Sequence, residues 1–315
     1  MPLPPDYSTF TRMKRLLNVP GFFFGNYFYG ICAVGLAVEG SLQQLYPLNP
    51  FYFYVGLFCA TVWFYTIAYI TGPDVKGANP RTNWYSTHYR FVQYSQRFLF
   101  MVMAIISVYV LATYYTAITA ITIWQWLLLL IVPFSGLLYY GINNRWLGGV
   151  SLRKIGWLKP FIIGFTWAGI ANVYPAVFYD ITHGQPTPVT FAGVLLFIKN
   201  LMYVTVLAIM FDIKDYANDS NRKLKTFVVD HGLRNTIFYI LLPLSLLGLA
   251  CYVLYGTMLQ FSVFRIIINT IPFILLILVA YSMKKRRPIL YYLALIDGLM
   301  LIKALCGIFA MFYFS

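Results

Sequence analysis

The chain has 315 residues, of which 60% are hydrophobic, 19% aromatic and only 10% charged, against roughly 25% charged in a soluble domain. With a mean hydropathy of +0.71, a water-soluble globule, a disordered chain, a coiled coil and a collagen are excluded, and a polytopic membrane protein remains. The net charge of +14 lies between apolar spans, so it reads as the positive-inside signal of a membrane protein and not as a nucleic-acid surface.

The N-terminal segment 1–19 carries Arg12, Lys14 and Arg15 and runs into a long apolar stretch without a small-residue cleavage site, as an uncleaved first helix would. Phe10, Met13, Leu16 and Leu17 recur at helical spacing and predict an amphipathic helix on the membrane surface. Apolar segments follow at 20–46, 50–72, 92–115, 117–142, 157–178, 187–211, 235–256, 258–282 and 290–314. They predict an all-α fold of nine transmembrane helices, one membrane-embedded domain spanning 1–315. Basic residues fall in every second connection: before the first span, at 76–97, at 145–159, at 214–234 and at 284–287. That alternation predicts an N-terminus inside and a C-terminus outside. The long polar connections, including 73–91 and 212–234, then face the cytoplasm, where loop chemistry would sit. Cys32, Cys59, Cys251 and Cys306 lie in apolar stretches and read as packing residues.

Three of the nine acids, Asp212, Asp215 and Asp219, stand within eight residues of the connection after the sixth span. Their i, i+3, i+7 spacing puts them on one face if that helix continues through them. Like charges so placed repel, and a divalent cation relieves the repulsion. Mg²⁺ held by few carboxylates completes its shell with water and phosphate oxygens, and Lys214, Arg222, Lys223 and Lys225 nearby are fit to hold phosphate. The combination suggests an amphiphilic diphosphate with its head at the mouth and its tail in the bundle. A solvated helix end with an Asp219–Lys223 i, i+4 pair is the other reading of the same spacing.

The run Asp212-Ile-Lys-Asp-Tyr-Ala-Asn-Asp219, followed by Lys225-Thr226 and a further helix, resembles the second aspartate-rich motif of the UbiA superfamily of intramembrane prenyltransferases. Nine helices around a central cavity, an inside N-terminus and a motif after the sixth helix fit that superfamily. The resemblance implies that Asp212, Asp215 and Asp219 are catalytic, Mg²⁺-binding acids and that Lys225 contacts a diphosphate. It also implies transfer of an isoprenoid group from a prenyl diphosphate to a lipophilic acceptor. Downstream, Ser220 and Lys223 stand where the family often places Arg and Gly, and Arg222 is a substitute for the former.

The first motif departs further. The family carries several acids at the end of helix two, whereas residues 68–81 hold only Asp74, although Asn79-Pro80-Arg81 resembles the sequence that follows the family's motif. Anchored there, the acidic positions fall on Tyr69, Gly72 and Lys76 or their neighbours. Asp74, Lys76, Arg81 and Arg90 are therefore candidate substrate contacts, the cations neutralising phosphate in place of a metal. The 143–159 connection, with Arg145, Lys154 and Lys159, either covers a diphosphate or only marks the inner face.

Asn26 and Asn172 lie at membrane depth, as cavity-lining contacts or as helix–helix hydrogen bonds. Asp297 and Lys303 are ionisable residues within the last span that must face protein or water. Similar depth suggests that Glu39, Asp180 and Arg265 pair near the outer face. The three histidines form no ligand pair, and the aromatics are lipid-facing, interfacial or cavity-lining. Three classes fit: a Mg²⁺-assisted prenyltransferase, a non-catalytic relative that binds an isoprenoid lipid or serves as a subunit of a membrane complex, and a transporter or unrelated nine-helix protein. Each is a multi-pass integral membrane protein, of the inner membrane if the source is bacterial.

Overall fold

The computed structural model describes residues 19–70, 80–140, 155–184, 188–221, 224–283 and 291–314. The N-terminal surface segment before Val19, Asp74, Lys76, Arg145, Lys154 and Arg222 lie outside them, as do the side chains of Asp215 and Asp219. Among the described residues every regular element is a helix, as expected where apolar chain must satisfy its own backbone hydrogen bonds. The helices are α1 (Val19–Phe24), α2 (Tyr27–Gln43), α3 (Phe51–Ile70), α4 (Pro80–Thr87), α5 (Tyr89–Ala120) and α6 (Ile123–Tyr140). They continue with α7 (Lys159–His183), α8 (Phe191–Asn221), α9 (Phe227–Met258), α10 (Val263–Ser282) and α11 (Tyr292–Tyr313). Among the described residues six helices are long and apolar enough to cross a membrane: α5, α7, the Phe191–Lys214 part of α8, α9, α10 and α11. Phe51–Ile67 and Ile123–Leu137 are shorter apolar helices. The protein is thus a multi-pass helical membrane protein.

The helices depart from the expected segments in two informative places. The first apolar stretch is interrupted between α1 and α2, where Asn26 takes a positive φ of 64°, a conformation asparagine tolerates better than most residues. The polar connection expected from 212 onwards is instead helical to Asn221.

The chain divides into two compact units, residues 1–31 with 52–109 and residues 32–51 with 110–315. In the first, Cys59, Val62 and Leu99 form a buried cluster with Tyr27, Val55 and Phe58. In the second, α8 packs on α7 and α9, and α10 on α11. α8 is buried along most of its apolar length.

The second unit is organised around a buried carboxylate. Glu39 of α2 is fully buried, and its two oxygens are taken by two buried ammonium groups: Lys199 of α8 at 2.8 Å and Lys303 of α11 at 2.5 Å. Gln43 closes the arrangement, donating to Glu39 Oε1 (3.1 Å) and to Asn269 Oδ1 of α10 (2.8 Å) and accepting from Lys199 (2.9 Å). The Tyr252 ring of α9 lies 5.0 Å from the Lys199 ammonium, and Tyr203 lies 5.7 Å from that of Lys303. Tyr255 donates to the Gln43 carbonyl. Charges at membrane depth are tolerated only when paired and hydrogen-bonded in this way. Five helices, α2 and α8 to α11, therefore meet at one polar node.

The pairing expected among Glu39, Asp180 and Arg265 does not occur. Glu39 is taken by the two lysines, Asp180 accepts from Gln125 Nε2 at 2.8 Å, and Arg265 donates to the Met311 carbonyl at 3.5 Å. Similar depth leaves the azimuth of a residue around its helix undetermined, and azimuth decides which partner is met.

A second contact sets the approach of α2 to α7. Pro175 has no N–H to return to the preceding turn, and α7 widens into a π-helical turn over Gly169–Val173. The carbonyl of Ala171, four residues before the proline, faces Gly40 so closely that a Cβ there would lie 1.8 Å from its oxygen. Gln44 donates to the carbonyl of Asn172 in the same turn at 3.1 Å. The second proline of this kind, Pro243, follows a similar widened turn at Ile237–Leu241 in α9.

The polar node makes a definite prediction about stability. Glu39→Leu leaves two buried ammonium groups without a counter-ion and should cost about 3–5 kcal/mol. Combining it with Lys199→Met and Lys303→Met should restore most of that loss, as read by thermal unfolding in detergent micelles. If the triple variant melted no higher than Glu39→Leu, the charge balance would not be what holds these helices.

Candidate functional site

The aspartates of the candidate motif sit on the last turns of α8. Because the helix runs unbroken to Asn221, Asp212, Asp215 and Asp219 occupy one face by helical register. Asp212 is buried and forms an ion pair with Lys159 at 2.5 Å. Lys159 is the first residue of α7, so the end of the basic 143–159 connection is fastened to the aspartate-bearing helix. Gly156 strengthens that junction: a Cβ at this position would lie 2.4 Å from the Lys225 carbonyl oxygen. Two segments far apart in sequence, both rich in cations, thus converge at the aspartates.

The Lys225-Thr226 pair divides its work. Lys225 is exposed. Thr226 is buried and caps α9, its hydroxyl accepting from the Val229 N–H at 3.4 Å. The Thr of the motif thus has a structural task here, starting the next helix.

The candidate residues of the first unit form a different kind of cluster. Asn26 is fully buried and donates to Thr66 Oγ1 (2.9 Å) and to the Tyr85 hydroxyl (3.1 Å). Arg81 is buried on α4, donates to Asn26 Oδ1 and to the Phe24 carbonyl (3.3 Å), and lies 4.3 Å from the centre of the Tyr69 ring. Tyr69 and Tyr85 stack at 5.0 Å with nearly parallel planes. Tyr85 also donates to the Phe24 carbonyl at 2.8 Å. The break at Asn26 leaves the last carbonyls of α1 without helical partners, and a cation with hydrogen-bond donors is what such an end favours. Burial pushes the Tyr85 phenol up to about 12 while the Arg81 charge pulls it down, so the group stays a neutral donor. Arg90, by contrast, is exposed on α5.

Asn172, in the widened turn of α7, accepts from Asn200 Nδ2 at 3.0 Å and lines a cavity of the second unit. Among the described residues no group of three or more His, Cys, Asp or Glu side chains is placed to hold a metal. The sequence reading missed Lys199, hidden in an otherwise apolar span beside Asn200. It also took Lys159 only as one cation of a loop. The available signal for Lys199 was its depth, since a lysine in the middle of a span demands an acid at similar depth on another helix.

No family model and no curated protein matches the sequence. Among solved structures, the chain is similar to one from work on digeranylgeranylglyceryl phosphate synthase in membranes, with 15% sequence identity and a TM-score of 0.51, over 96% of this chain and 98% of that one. At this identity the match concerns the fold alone: the chain shares a helical architecture with that structure over nearly its whole length.

The cluster around Asn26 yields a prediction. Arg81→Ala strands the buried Asn26 Oδ1, while the Phe24 carbonyl keeps Tyr85 as its donor, and should cost about 1–3 kcal/mol, whereas exposed Arg90→Ala should change stability by no more than about 0.5 kcal/mol. Melting temperatures of the two purified variants distinguish them. An unchanged melting temperature for Arg81→Ala would show that this arginine is not needed to hold the α1–α2 break.

Proposed function

We propose that the chain is an intramembrane prenyltransferase that moves an isoprenoid group from a prenyl diphosphate to a lipophilic acceptor with the help of Mg²⁺. The observation that carries this reading is the convergence at the end of α8: three aspartates on one helical face, with the cationic ends of the 143–159 and 212–234 connections fastened beside them through Lys159–Asp212 and Gly156–Lys225. Nine spans with an inside N-terminus, as the charge alternation suggests, would put this convergence at the cytoplasmic face.

The donor set fits a hard divalent cation, since carboxylate oxygens are the ligands Mg²⁺ takes. Asp212 already has Lys159 as its cation, so Asp215 and Asp219 would be the principal ligands and Asp212 would position the motif. Mg²⁺ bound there would neutralise diphosphate oxygens. Lys225, Arg222, Arg145 and Lys154 would hold the same oxygens by charge-assisted hydrogen bonds. Departure of diphosphate leaves a carbocationic prenyl group, and fixed cations facing the leaving group lower that barrier. Asp74, Lys76 and Arg90 would take the part of a weakened first metal site.

One observation favours a second reading, a non-catalytic relative that binds an isoprenoid lipid or serves in a membrane complex. Tyr69, on a position where the family's pattern calls for acid, is stacked on Tyr85 and covered by Arg81, an arrangement that serves packing.

Two measurements test the reading. Asp215→Asn should abolish Mg²⁺-dependent binding of geranylgeranyl diphosphate while leaving the melting temperature unchanged; undiminished binding would leave only a solvated helix end. Arg90→Ala should lower the transfer rate at saturating donor by about two to three decades with little change in donor affinity. A change in affinity alone would make Arg90 a binding contact and no more.

A further inference from the structure

We propose that the second unit carries a separate binding crevice for a neutral long-chain lipid, at the end of α8 remote from the aspartates. A cavity of about 1770 Å³ lies among α6, α7 and the first turns of α8, with Ile131, Val173, Val177, Gly193 and Phe197 among its lining. Pockets for drug-sized ligands occupy roughly 300–1,000 Å³, so this one suits a long chain. Along α8, fifteen residues separate Phe197 from Asp212, about 22 Å at 1.5 Å per residue. The crevice is therefore not the diphosphate site, and the inference stands whether or not the chain transfers prenyl groups.

Two features define the occupant's chemistry. The first is charge. Among the described lining residues Asp180 is the one charged side chain, and it accepts from Gln125 at 2.8 Å. Among the described residues no lysine or arginine lines the cavity, so none of them matches a phosphate or carboxylate head. The second is a donor. Asn172 lines the cavity and is only 4% exposed. Its Oδ1 is engaged by Asn200, but its Nδ2 has no hydrogen-bond partner among the described residues. A buried N–H without an acceptor in apolar surroundings is unfavourable and calls for an oxygen from elsewhere. An ester, ketone or ether oxygen on an uncharged lipid supplies it, with the alkyl chain filling the apolar remainder.

The test uses the full-length chain in nanodiscs doped with a diazirine-tailed monoacylglycerol. After irradiation, adducts are mapped by peptide mass spectrometry. Adducts should concentrate in residues 122–137 and 172–197. A phosphate monoester of the same tail should label these peptides at least about fivefold less. Asn172→Leu should reduce labelling about fivefold, the worth of one hydrogen bond. Gly193→Phe provides an independent variant that keeps the fold, because a Cβ there meets only Thr190 Oγ1 at 3.4 Å. By filling the space it should reduce labelling by about tenfold or more. Even labelling of all lipid-facing helices, insensitive to Gly193→Phe, would mean annular lipid only and overturn the proposal. Equal labelling by the phosphate ester would overturn its neutrality.

Discussion

The arrangement of the second unit depends on one carboxylate shared by two lysines. Glu39 is the acid that Lys199 and Lys303 require, and those three residues sit on three helices that are far apart in sequence. In hydrocarbon, none of these side chains has an acceptable alternative to the others. Breaking the arrangement by removing one partner costs about 3–5 kcal/mol, because the others are left buried without their counter-ion. Gln43, Asn269, Tyr252 and Tyr255 then satisfy the remaining hydrogen-bonding capacity. The net effect is less a gain in stability over an apolar core than a unique register for five helices, the use of buried polar groups best supported elsewhere.

That register matters for chemistry because α8 carries both ends of the account. Lys199, in the node, and Asp212, at the start of the aspartate face, are thirteen residues apart on one unbroken helix, about 20 Å along its axis. A helix held firmly at Lys199 delivers Asp212 to Lys159 with little freedom left to lose, which is how a scaffold positions a site. The widened turn at Gly169–Val173 plays the corresponding part in α7. It forms because of Pro175, it admits Gly40 of α2, and it leaves Asn172 facing a cavity instead of a neighbouring turn.

The helical, multi-pass character of the chain was legible from hydropathy. Apart from short breaks such as that at Asn26, the described apolar stretches are helical, because a chain in a bilayer has no other way to satisfy its backbone. α8 continues through Asp215 and Asp219 although Tyr216, Asn218, Ser220 and Asn221 are weak helix formers, and the conditional reading of those acids as one face holds at the level of the backbone. Partner identities were not legible. Asp180 was set beside Glu39 on depth alone, yet it meets Gln125, and Lys303 was noted without its acid. Helix azimuth and neighbour order, which decide both cases, leave little trace in one sequence. Arg81 illustrates a different difficulty. As the last residue of Asn79-Pro80-Arg81 it pointed to phosphate, whereas in the structure it donates to the Phe24 carbonyl and to Asn26 Oδ1 at the α1–α2 break.

The central claim is that the convergence at the end of α8 handles a prenyl diphosphate. The most direct measurement is a transfer assay on the unmodified protein in vesicles of total membrane lipid extract, supplied with radiolabelled geranylgeranyl diphosphate and titrated with Mg²⁺. The label should move into a new lipid species, with release of diphosphate and a dependence on Mg²⁺ that chelation reverses. Quantitative recovery of the labelled donor, with no Mg²⁺-dependent association with the protein, would contradict it.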